Sequence, residues 1–319
     1  MKKDSVIFIA GHRGLVGSAV LRDLKKKNYK KLITVDRKKL DLKNYEKINR
    51  FFNKKKIDYI IMAAAKAGGI LANSNFQKDF FLENIEIQNN LLKLALNKKV
   101  KRVIFLGTSC IYPKLAKNPI SENSLLTGAL EKTNQCYAIA KIAGIKLSEA
   151  LYNDQNLDVV CLMPTNIYGV NDNYDPFSAH VIPAMINKIH AAKKKSKKSL
   201  KLLGTGKPVR EFLYADDLAS AIYRICITSK KKLFKYCGNK FPIINVGSGK
   251  SITIKNLSKM ISKILDYRGK IYFDKRFPDG TKKKNLNSKI INSLGWNAKT
   301  SLEDGLKKSI EFYVNNYSK

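Results

Sequence analysis

The chain has 319 residues, of which 44% are hydrophobic, so it is long enough to bury a large core in one main domain with a smaller lobe. Lysine and arginine together number 61 against 25 aspartates and glutamates, which gives a formal net charge of +36. The sequence has no basic groove with interleaved aromatic residues and no nucleic-acid recognition motif, so we expect no nucleic-acid partner. The charge could instead attract an anionic nucleotide substrate.

The five cysteines show neither metal-binding spacing nor an even disulfide framework, which favours a reducing cytoplasm. The three histidines, His12, His180 and His190, cluster neither with cysteine nor with one another, so we predict no metal site. No apolar run is long enough to span a membrane, and the short one near the start runs into Gly-His-Arg instead of a signal-peptide pattern. We expect a soluble, cytoplasmic protein without membrane contact.

A glycine turn between an apolar run and a helical segment is the first motif. Val6–Ala10 predicts a buried strand, and a helix should begin near Leu15. The glycines between them allow a tight turn and a close approach to a pyrophosphate, while the helix N-terminus offers N–H groups and a positive dipole. The predicted dinucleotide contacts in this segment are Gly11, His12, Arg13, Gly14, Leu15, Val16 and Gly17.

The residues after the second predicted strand bear on the choice of cofactor. Lys31–Val35 is the predicted strand, and Asp36 and Arg37 follow it. An acidic residue there typically binds the adenine ribose 2′-hydroxyl of NAD, whereas an arginine accommodates the 2′-phosphate of NADP. Arg13 and Arg37 could flank a phosphate that Asp36 would oppose. Since two cations outweigh one anion, NADPH is favoured.

The stretch Val103–Lys146 contains the residue types that a proton-transfer site needs. Arg102–Leu106 is β-branched and aromatic, which predicts a buried strand that ends at Gly107. Two hydroxyls and a thiol follow directly, in Thr108, Ser109 and Cys110. Because ligands of open parallel sheets bind at the carboxyl ends of strands, these side chains lie at a candidate site.

Tyr137 and Lys141 stand four residues apart in YAIAKIAGIKLSEALY, an apolar-periodic segment that predicts a helix. This spacing puts a phenol and an ammonium on one helix face, one turn apart. A nearby cation favours phenolate, and such a phenol can act as a general acid or base toward a substrate oxygen. A Tyr-x-x-x-Lys pair alone is most often a helix-surface pair, but its place downstream of a dinucleotide loop favours a functional role.

The remaining apolar segments continue the alternation of strands and helices that is typical of a parallel sheet. Further strands are predicted at Ile57–Met62, Asp158–Met163 and Ile243–Val246, the last returning to the main sheet. Further helices are predicted at Asp79–Asn97 and at Val181–Ala192, directly after His180. The polar, turn-rich residues 171–178 predict a mobile loop.

The motifs TSCIYPKLAKNPISE and YAIAKIAGIKL, with GHRGLVGS near the start and LGW near the end, resemble the extended short-chain dehydrogenase/reductase family over nearly the whole chain. The resemblance implies an α/β fold with a Rossmann-type, doubly wound parallel sheet and a smaller, interleaved α/β substrate lobe. The NADP-binding domain would comprise residues 1–170 plus a returning segment at about 209–260, and the substrate lobe residues of about 171–208 and 261–319. The resemblance also favours NADPH and a homodimer formed through a four-helix bundle.

The resemblance further implies an NADP-dependent oxidoreductase with epimerase activity, which converts GDP-4-keto-6-deoxy-D-mannose to GDP-L-fucose by 3,5-epimerisation and 4-keto reduction. Cys110 would be the base and His180 the acid of epimerisation. Tyr137 would protonate the C4 oxygen and Thr108 would hydrogen-bond it. Lys141 would bind the nicotinamide ribose and lower the pKa of Tyr137. A related reaction on another GDP-sugar, such as a 4-keto heptose, and a dinucleotide-sensing protein without chemistry stay open as alternatives.

The resemblance assigns further residues to the cofactor and to the substrate. The additional cofactor contacts would be Leu106, Gly107, Lys141, Pro164, Asn166, Ile167 and His180. The substrate contacts would be Lys188, Leu203, Arg210 and Asp279, the last in the loop Pro278–Thr281 that would close over GDP. This chain departs from the family at Lys188, often Arg, at Leu203, where a Trp can stack on guanine, and at residues 283–287, usually Arg-Lys-Leu-Leu-Asp.

Overall fold

Strands and helices alternate along most of the chain in a computed structural model that describes residues 1–277 and 279–317. The strands are β1 (Ile7–Ala10), β2 (Leu32–Ile33), β3 (Tyr59–Met62), β4 (Arg102–Leu106), β5 (Val159–Pro164), β6 (Asn166–Tyr168), β7 (Ser199–Leu203), β8 (Val209–Tyr214), β9 (Ile243–Val246), β10 (Ser251–Thr253), β11 (Lys270–Asp274) and β12 (Lys283–Lys284). The helices are α1 (Leu15–Lys26), α2 (Tyr45–Phe52), α3 (Ile70–Asn75), α4 (Gln77–Asn97), α5 (Gln135–Asp154), α6 (Val181–Lys194), α7 (Ala215–Ile227), α8 (Lys230–Tyr236), α9 (Ile254–Ile264), α10 (Lys289–Ser293) and α11 (Leu302–Tyr317).

A parallel sheet with the strand order β2-β1-β3-β4-β5-β9 forms the centre of the protein. The chain starts at β1, moves outward to β2 and then crosses back to β3 on the other side of β1. Ligands of open α/β sheets bind beyond the carboxyl ends of the strands at such a reversal of strand order. This topology confirms the predicted doubly wound parallel sheet, including the return of β9 to it.

Helices cover both faces of this sheet because successive strand side chains point to opposite sides. Ile7 and Ile9 of β1 pack in the same cluster as residues of α1 and α7. Phe8 and Ala10 pack instead with residues of α4 and α5. These strands are apolar on both faces, as expected for a parallel sheet between two helical layers.

A smaller lobe is built around β8. This strand pairs antiparallel with β10 and parallel with β12 and β6, while β7 and β11 form a separate parallel pair. Residues of α6, α9 and α11 share a separate apolar cluster with Tyr168, Tyr174 and Phe212. The smaller lobe takes strands from before and after β9, so the two parts are interleaved along the chain. In the predicted returning segment of about 209–260, β9 joins the main sheet whereas β8 joins the smaller one; the domain boundaries stay a prediction.

Most predicted elements have the expected place, with differences at their ends. The second strand is limited to Leu32–Ile33 because this edge strand pairs only with Ile7 and Phe8 of β1. Across residues 1–277 and 279–317, no helix is both long and apolar enough to cross a membrane. The same residues contain no group of three or more His, Cys, Asp or Glu that could hold a metal ion.

Candidate active site

The glycine turn after β1 has the backbone geometry that a dinucleotide loop requires. Gly11 has φ +82°, in the left-handed region that favours glycine. The N–H of Gly14 donates to the carbonyl of Gly11 at 3.0 Å. A Cβ at Gly17 would lie 2.1 Å from that same carbonyl oxygen, so no larger residue fits there. The turn therefore packs tightly against the start of α1, whose first N–H groups have no capping side chain at Gly14.

The carboxylate of Asp36 is bound by two residues of the glycine turn. Arg13 Nε lies 2.7 Å from Asp36 Oδ1, and His12 Nε2 lies 3.4 Å from the same oxygen. The side chain of Arg13 is 76% exposed and can reorient toward a phosphate. Asp36 is expected to oppose a phosphate that the arginines would bind. In this structure it forms a direct ion pair with Arg13. Gly11 and Gly17 keep the turn compact, and the uncapped N–H groups at the start of α1 fit the pyrophosphate of a dinucleotide.

Arg37 is held by a carboxylate that sequence reasoning did not select. Its Nη2 lies 3.1 Å from Glu83 Oε2 on α4. Lys66, in the small-residue segment after β3, approaches Glu83 at 2.7 Å and Asp79 at 3.3 Å. The hydrogen bond from Lys66 lowers the pKa of Glu83 and raises the pKa of Lys66. Both predicted phosphate-binding arginines are therefore paired with carboxylates in this structure.

Thr108 and Cys110 lie at the carboxyl end of β4, as predicted. Thr108 Oγ1 accepts a hydrogen bond from the Cys110 N–H at 3.2 Å and caps the 3-10 turn that follows. Cys110 Sγ accepts a hydrogen bond from Asn134 Nδ2 at 3.2 Å. The thiol is partly exposed and free. A base at this position would therefore be accessible to a ligand at the sheet edge.

Lys141 is buried on α5, beneath the candidate site. Its Nζ donates to the Leu106 carbonyl at 2.9 Å and lies 5.2 Å from the ring centroid of Phe105. Desolvation of the ammonium lowers the pKa of Lys141 to about 8. Its contact with the last residue of β4 ties the helix to the strand that carries Thr108.

Tyr137 lies one turn before Lys141, but its pKa is raised in this structure, against the predicted direction. Burial is the first cause that raises the pKa of Tyr137, and the charge of Cys110 adds to it. The ammonium of Lys141 is hydrogen-bonded to the Leu106 carbonyl. The ring of Tyr137 packs edge-on against Phe80, with centroids 6.1 Å apart. The phenol is therefore held protonated, which suits a proton donor.

His180 is the residue before α6 and is exposed at the edge of the smaller lobe. Desolvation of the imidazole lowers the pKa of His180. The loop before it is joined to the main domain, because the Gly69 N–H donates to the Ser178 carbonyl at 2.8 Å. A Cβ at Gly68 would lie 3.2 Å from the ring of Phe80, which packs on Tyr137. The structure thus brings the loop before His180 close to Phe80 of α4, which packs on Tyr137.

Arg210 reaches the main domain from β8. Burial lowers the pKa of Arg210, while the nearby charges of Cys110, Asp279 and Glu131 oppose that effect. Asp279 accepts hydrogen bonds from the N–H and hydroxyl of Thr205, so its carboxylate holds the loop around it. Lys188 and Leu203 are exposed, and Pro278 lies outside the described residues. Among the predicted substrate residues, Arg210 is therefore the one that interacts through charge with Cys110.

The segment predicted to border the nicotinamide lies at the carboxyl ends of β4 and β5. Gly107 continues from Leu106, and its N–H donates to the Leu162 carbonyl at 2.9 Å. Pro164 ends β5, and Asn166 and Ile167 begin β6. Asn166 Nδ2 donates to the Glu211 carbonyl at 2.9 Å, so the amide fixes β6 to β8.

Three polar residues that sequence reasoning missed hold the site together. Glu211 is fully buried, and its carboxylate accepts the N–H groups of Gly249 at 2.7 Å and Leu286 at 2.8 Å. Glu131 accepts the Thr281 hydroxyl at 3.3 Å, and Asn134 donates to the thiol. An acidic residue inside a buried strand was a usable signal for Glu211. The other two lie in loops whose partners are distant in sequence.

Known proteins are similar to this chain over nearly its whole length. A model of the NAD dependent epimerase/dehydratase family matches residues 7–246. GDP-L-fucose synthase 1 of Arabidopsis thaliana is 43% identical over 314 residues, which cover 98% of this chain and 94% of that protein. GDP-L-fucose synthase of Escherichia coli strain K12 is 41% identical over 310 residues, covering 97% of each chain.

A solved structure of a relative supports the same assignment. The GDP-mannoheptose C4 reductase from Campylobacter jejuni with NADP bound superposes with a TM-score of 0.88 at 33% identity, covering 98% of this chain and 99% of that one. The strand order, the glycine turn and the Tyr137–Lys141 helix agree with the resemblance drawn from the motifs. This chain belongs to the NAD dependent epimerase/dehydratase family, within the extended short-chain dehydrogenases/reductases.

Proposed function

We propose that this protein is an NADPH-dependent 3,5-epimerase and 4-reductase that converts GDP-4-keto-6-deoxy-D-mannose to GDP-L-fucose. The relatives at 41–43% identity carry the name of that activity. The observation that carries the proposal is the shared electrostatic environment of Cys110, Tyr137 and Arg210 at the carboxyl end of β4. In the proposed reaction these residues would supply a base, a proton donor and a phosphate-binding cation.

Epimerisation requires a base on one face of the sugar and an acid on the other. The C4 ketone makes the C3 and C5 protons acidic, because the carbanion is stabilised as an enolate. Cys110 would remove a proton as thiolate, and His180 would return one to the opposite face. Desolvation lowers the pKa of His180, so its neutral form dominates at neutral pH and it must take up a proton before it acts as the acid.

Reduction requires a proton for the C4 oxygen as hydride arrives at C4. The nicotinamide cofactor supplies that hydride. Tyr137, whose pKa burial raises, remains protonated at neutral pH and would donate its proton to the oxygen. The Thr108 hydroxyl would hydrogen-bond the same oxygen, and Lys141 would bind the nicotinamide ribose. Arg210 would hold the diphosphate by its planar fork of donors.

NADPH is the proposed form of the cofactor. Arg13 and Arg37 are 76% and 72% exposed and can turn from their carboxylates toward a 2′-phosphate. The Campylobacter jejuni reductase has NADP bound. Asp36 would then lose its ion pair with Arg13 when the phosphate is bound.

We also propose a homodimer in which α4 and α5 form a four-helix bundle with their counterparts. These helices pack along each other and, with α3, leave large apolar side chains exposed, namely Ile70, Leu71, Phe76, Leu82 and Ile139. Light scattering after gel filtration tests this, since a mass near 36 kDa, the mass of one chain, would contradict it. Cytoplasmic location stays a prediction from cysteine usage.

One alternative keeps the chemistry and changes the sugar. The similarity to a GDP-mannoheptose C4 reductase favours a GDP-linked keto heptose as the second candidate. Pure protein should be incubated with GDP-4-keto-6-deoxy-D-mannose and NADPH, and the sugar identified by NMR. GDP-L-fucose as product is the expected result. NADPH oxidation only with a keto-heptose substrate would overturn the proposal in favour of the alternative.

A further inference from the structure

Asn134 occupies a helix-capping position without capping the helix. It directly precedes α5, and asparagine is favoured there because its side-chain oxygen can accept an N–H of the first turn. The Asn134 side chain makes no such bond in this structure. Its Nδ2 instead donates to Cys110 Sγ at 3.2 Å. A helix-stabilising bond is therefore replaced by a contact with the thiol.

The orientation of this amide also leaves a buried acceptor without a hydrogen bond. Asn134 Oδ1 is buried and has no hydrogen-bond partner among the described residues. Buried acceptors without a partner are rare, and each needs an explanation such as a functional role. The Asn134 N–H donates to the Glu131 carbonyl at 3.3 Å, and the Ser74 hydroxyl donates to the Thr133 carbonyl at 3.5 Å. The backbone is thus fixed on both sides, and the side chain points its donor at sulfur.

The other groups around the thiol do not duplicate this contact. Tyr137 on α5 and Arg210 on β8 interact with it through charge, and Arg210 is also near Asp279 and Glu131. The bond from the Cys110 N–H to Thr108 fixes the backbone, not the sulfur. A hydrogen bond donated to an anion is stronger than one donated to a neutral group.

We propose that Asn134 is a positioning residue for Cys110, whose amide N–H fixes the sulfur and stabilises the thiolate that removes a proton from the sugar. In that step the C–H bond breaks, its electron pair passes into the enolate and the proton forms S–H, while the amide stays neutral. The inference rests on the proposed function, in which Cys110 is the base. Losing the N–H should therefore reduce the anionic fraction of the thiol.

Alkylation of Cys110 tests this without any substrate. Iodoacetamide reacts with thiolate, and mass spectrometry of the peptides resolves Cys110 from the other four cysteines. Asn134→Ala should slow alkylation of Cys110 at pH 7 by about tenfold and move its pH midpoint up by about one unit. Asn134→Asp, which replaces the donor by an anion, should move the midpoint further.

The chain offers a matched control in a second amide–cysteine pair. Cys136 Sγ lies 3.6 Å from Gln77 Oε1. Gln77→Ala removes an amide from this other cysteine, so it should leave the Cys110 midpoint unchanged. NADPH binding and thermal unfolding verify that each variant is folded. Unchanged Cys110 midpoints in folded Asn134→Ala and Asn134→Asp would overturn the proposal. A shifted midpoint supports it, and if the wild-type protein epimerises no GDP-keto sugar, the proposed function alone has failed.

Discussion

Replacing Lys141 by methionine should stabilise the cofactor-free protein at neutral pH and abolish its reductase activity. The side chain is 5% exposed, and desolvation lowers the pKa of Lys141 from 10.5 to about 8. At 1.36 kcal/mol per pKa unit, this corresponds to about 3 kcal/mol against the charged form in the folded state. Loss of the bond to the Leu106 carbonyl costs about 1–3 kcal/mol, so we expect a net gain of about 1 kcal/mol at pH 7.

The pH dependence is the sharper part of this prediction. Between pH 8 and 10.5 the unfolded chain retains the Lys141 proton that the folded state has lost, so wild-type stability rises with pH in this window. Methionine has no such dependence. The free energy of unfolding of Lys141→Met relative to wild type should therefore fall by about 3 kcal/mol across the window.

Urea unfolding at several pH values measures this difference, in which the titration of all other groups cancels. Lys146→Met on the same helix is the matched control, because Lys146 is half exposed and pairs with Glu149 at the surface. Its difference from wild type should change little with pH. If the Lys141→Met difference is equally flat from pH 7 to 10.5, Lys141 is not desolvated as described.

The other predictions concern the proton donor, the second acid and the cofactor. Tyr137→Phe should abolish NADPH oxidation but still permit deuterium uptake from solvent into the keto-sugar; reduction at near wild-type rate would remove Tyr137 from its role. His180→Gln should slow deuterium uptake, and normal uptake would exclude it as the acid. NADPH should bind more tightly than NADH, and Arg37→Ala should weaken NADPH binding about tenfold, measured by fluorescence titration. Asp36→Ala, which frees Arg13, should strengthen NADPH binding; no change in either variant would show that neither arginine contacts the phosphate.

The parts of the fold that depend on local sequence were predictable. The strand before Gly11 and the helix from Leu15 follow from apolar periodicity and from the backbone freedom that only glycine supplies. The edge strand was predicted too long at Lys31–Val35, because its length is set by how much of β1 it pairs with.

The parts of the site that depend on distant contacts were not predictable. Four-residue spacing placed Tyr137 and Lys141 on one helix face, but spacing contains no information on the Leu106 carbonyl that binds the ammonium. Burial therefore reversed the predicted direction of the Tyr137 pKa. Likewise, Arg37 pairs with Glu83, which is 46 residues away in sequence. The local pattern of Asn134 indicates a helix cap, whereas its partner is Cys110.

The stereochemistry of the product made by Cys110→Ser tests the central claim most directly. The reference pKa of a cysteine thiol is about 8.5, so a thiolate is accessible near neutral pH. The serine hydroxyl is much less acidic and cannot form a comparable anion there. Epimerisation should collapse, while Thr108, Tyr137 and Lys141 can still direct reduction at C4. We expect NMR of the product from GDP-4-keto-6-deoxy-D-mannose and NADPH to show a slowly formed, D-configured 6-deoxyhexose. A Cys110→Ser enzyme that makes GDP-L-fucose at the wild-type rate would contradict the mechanism.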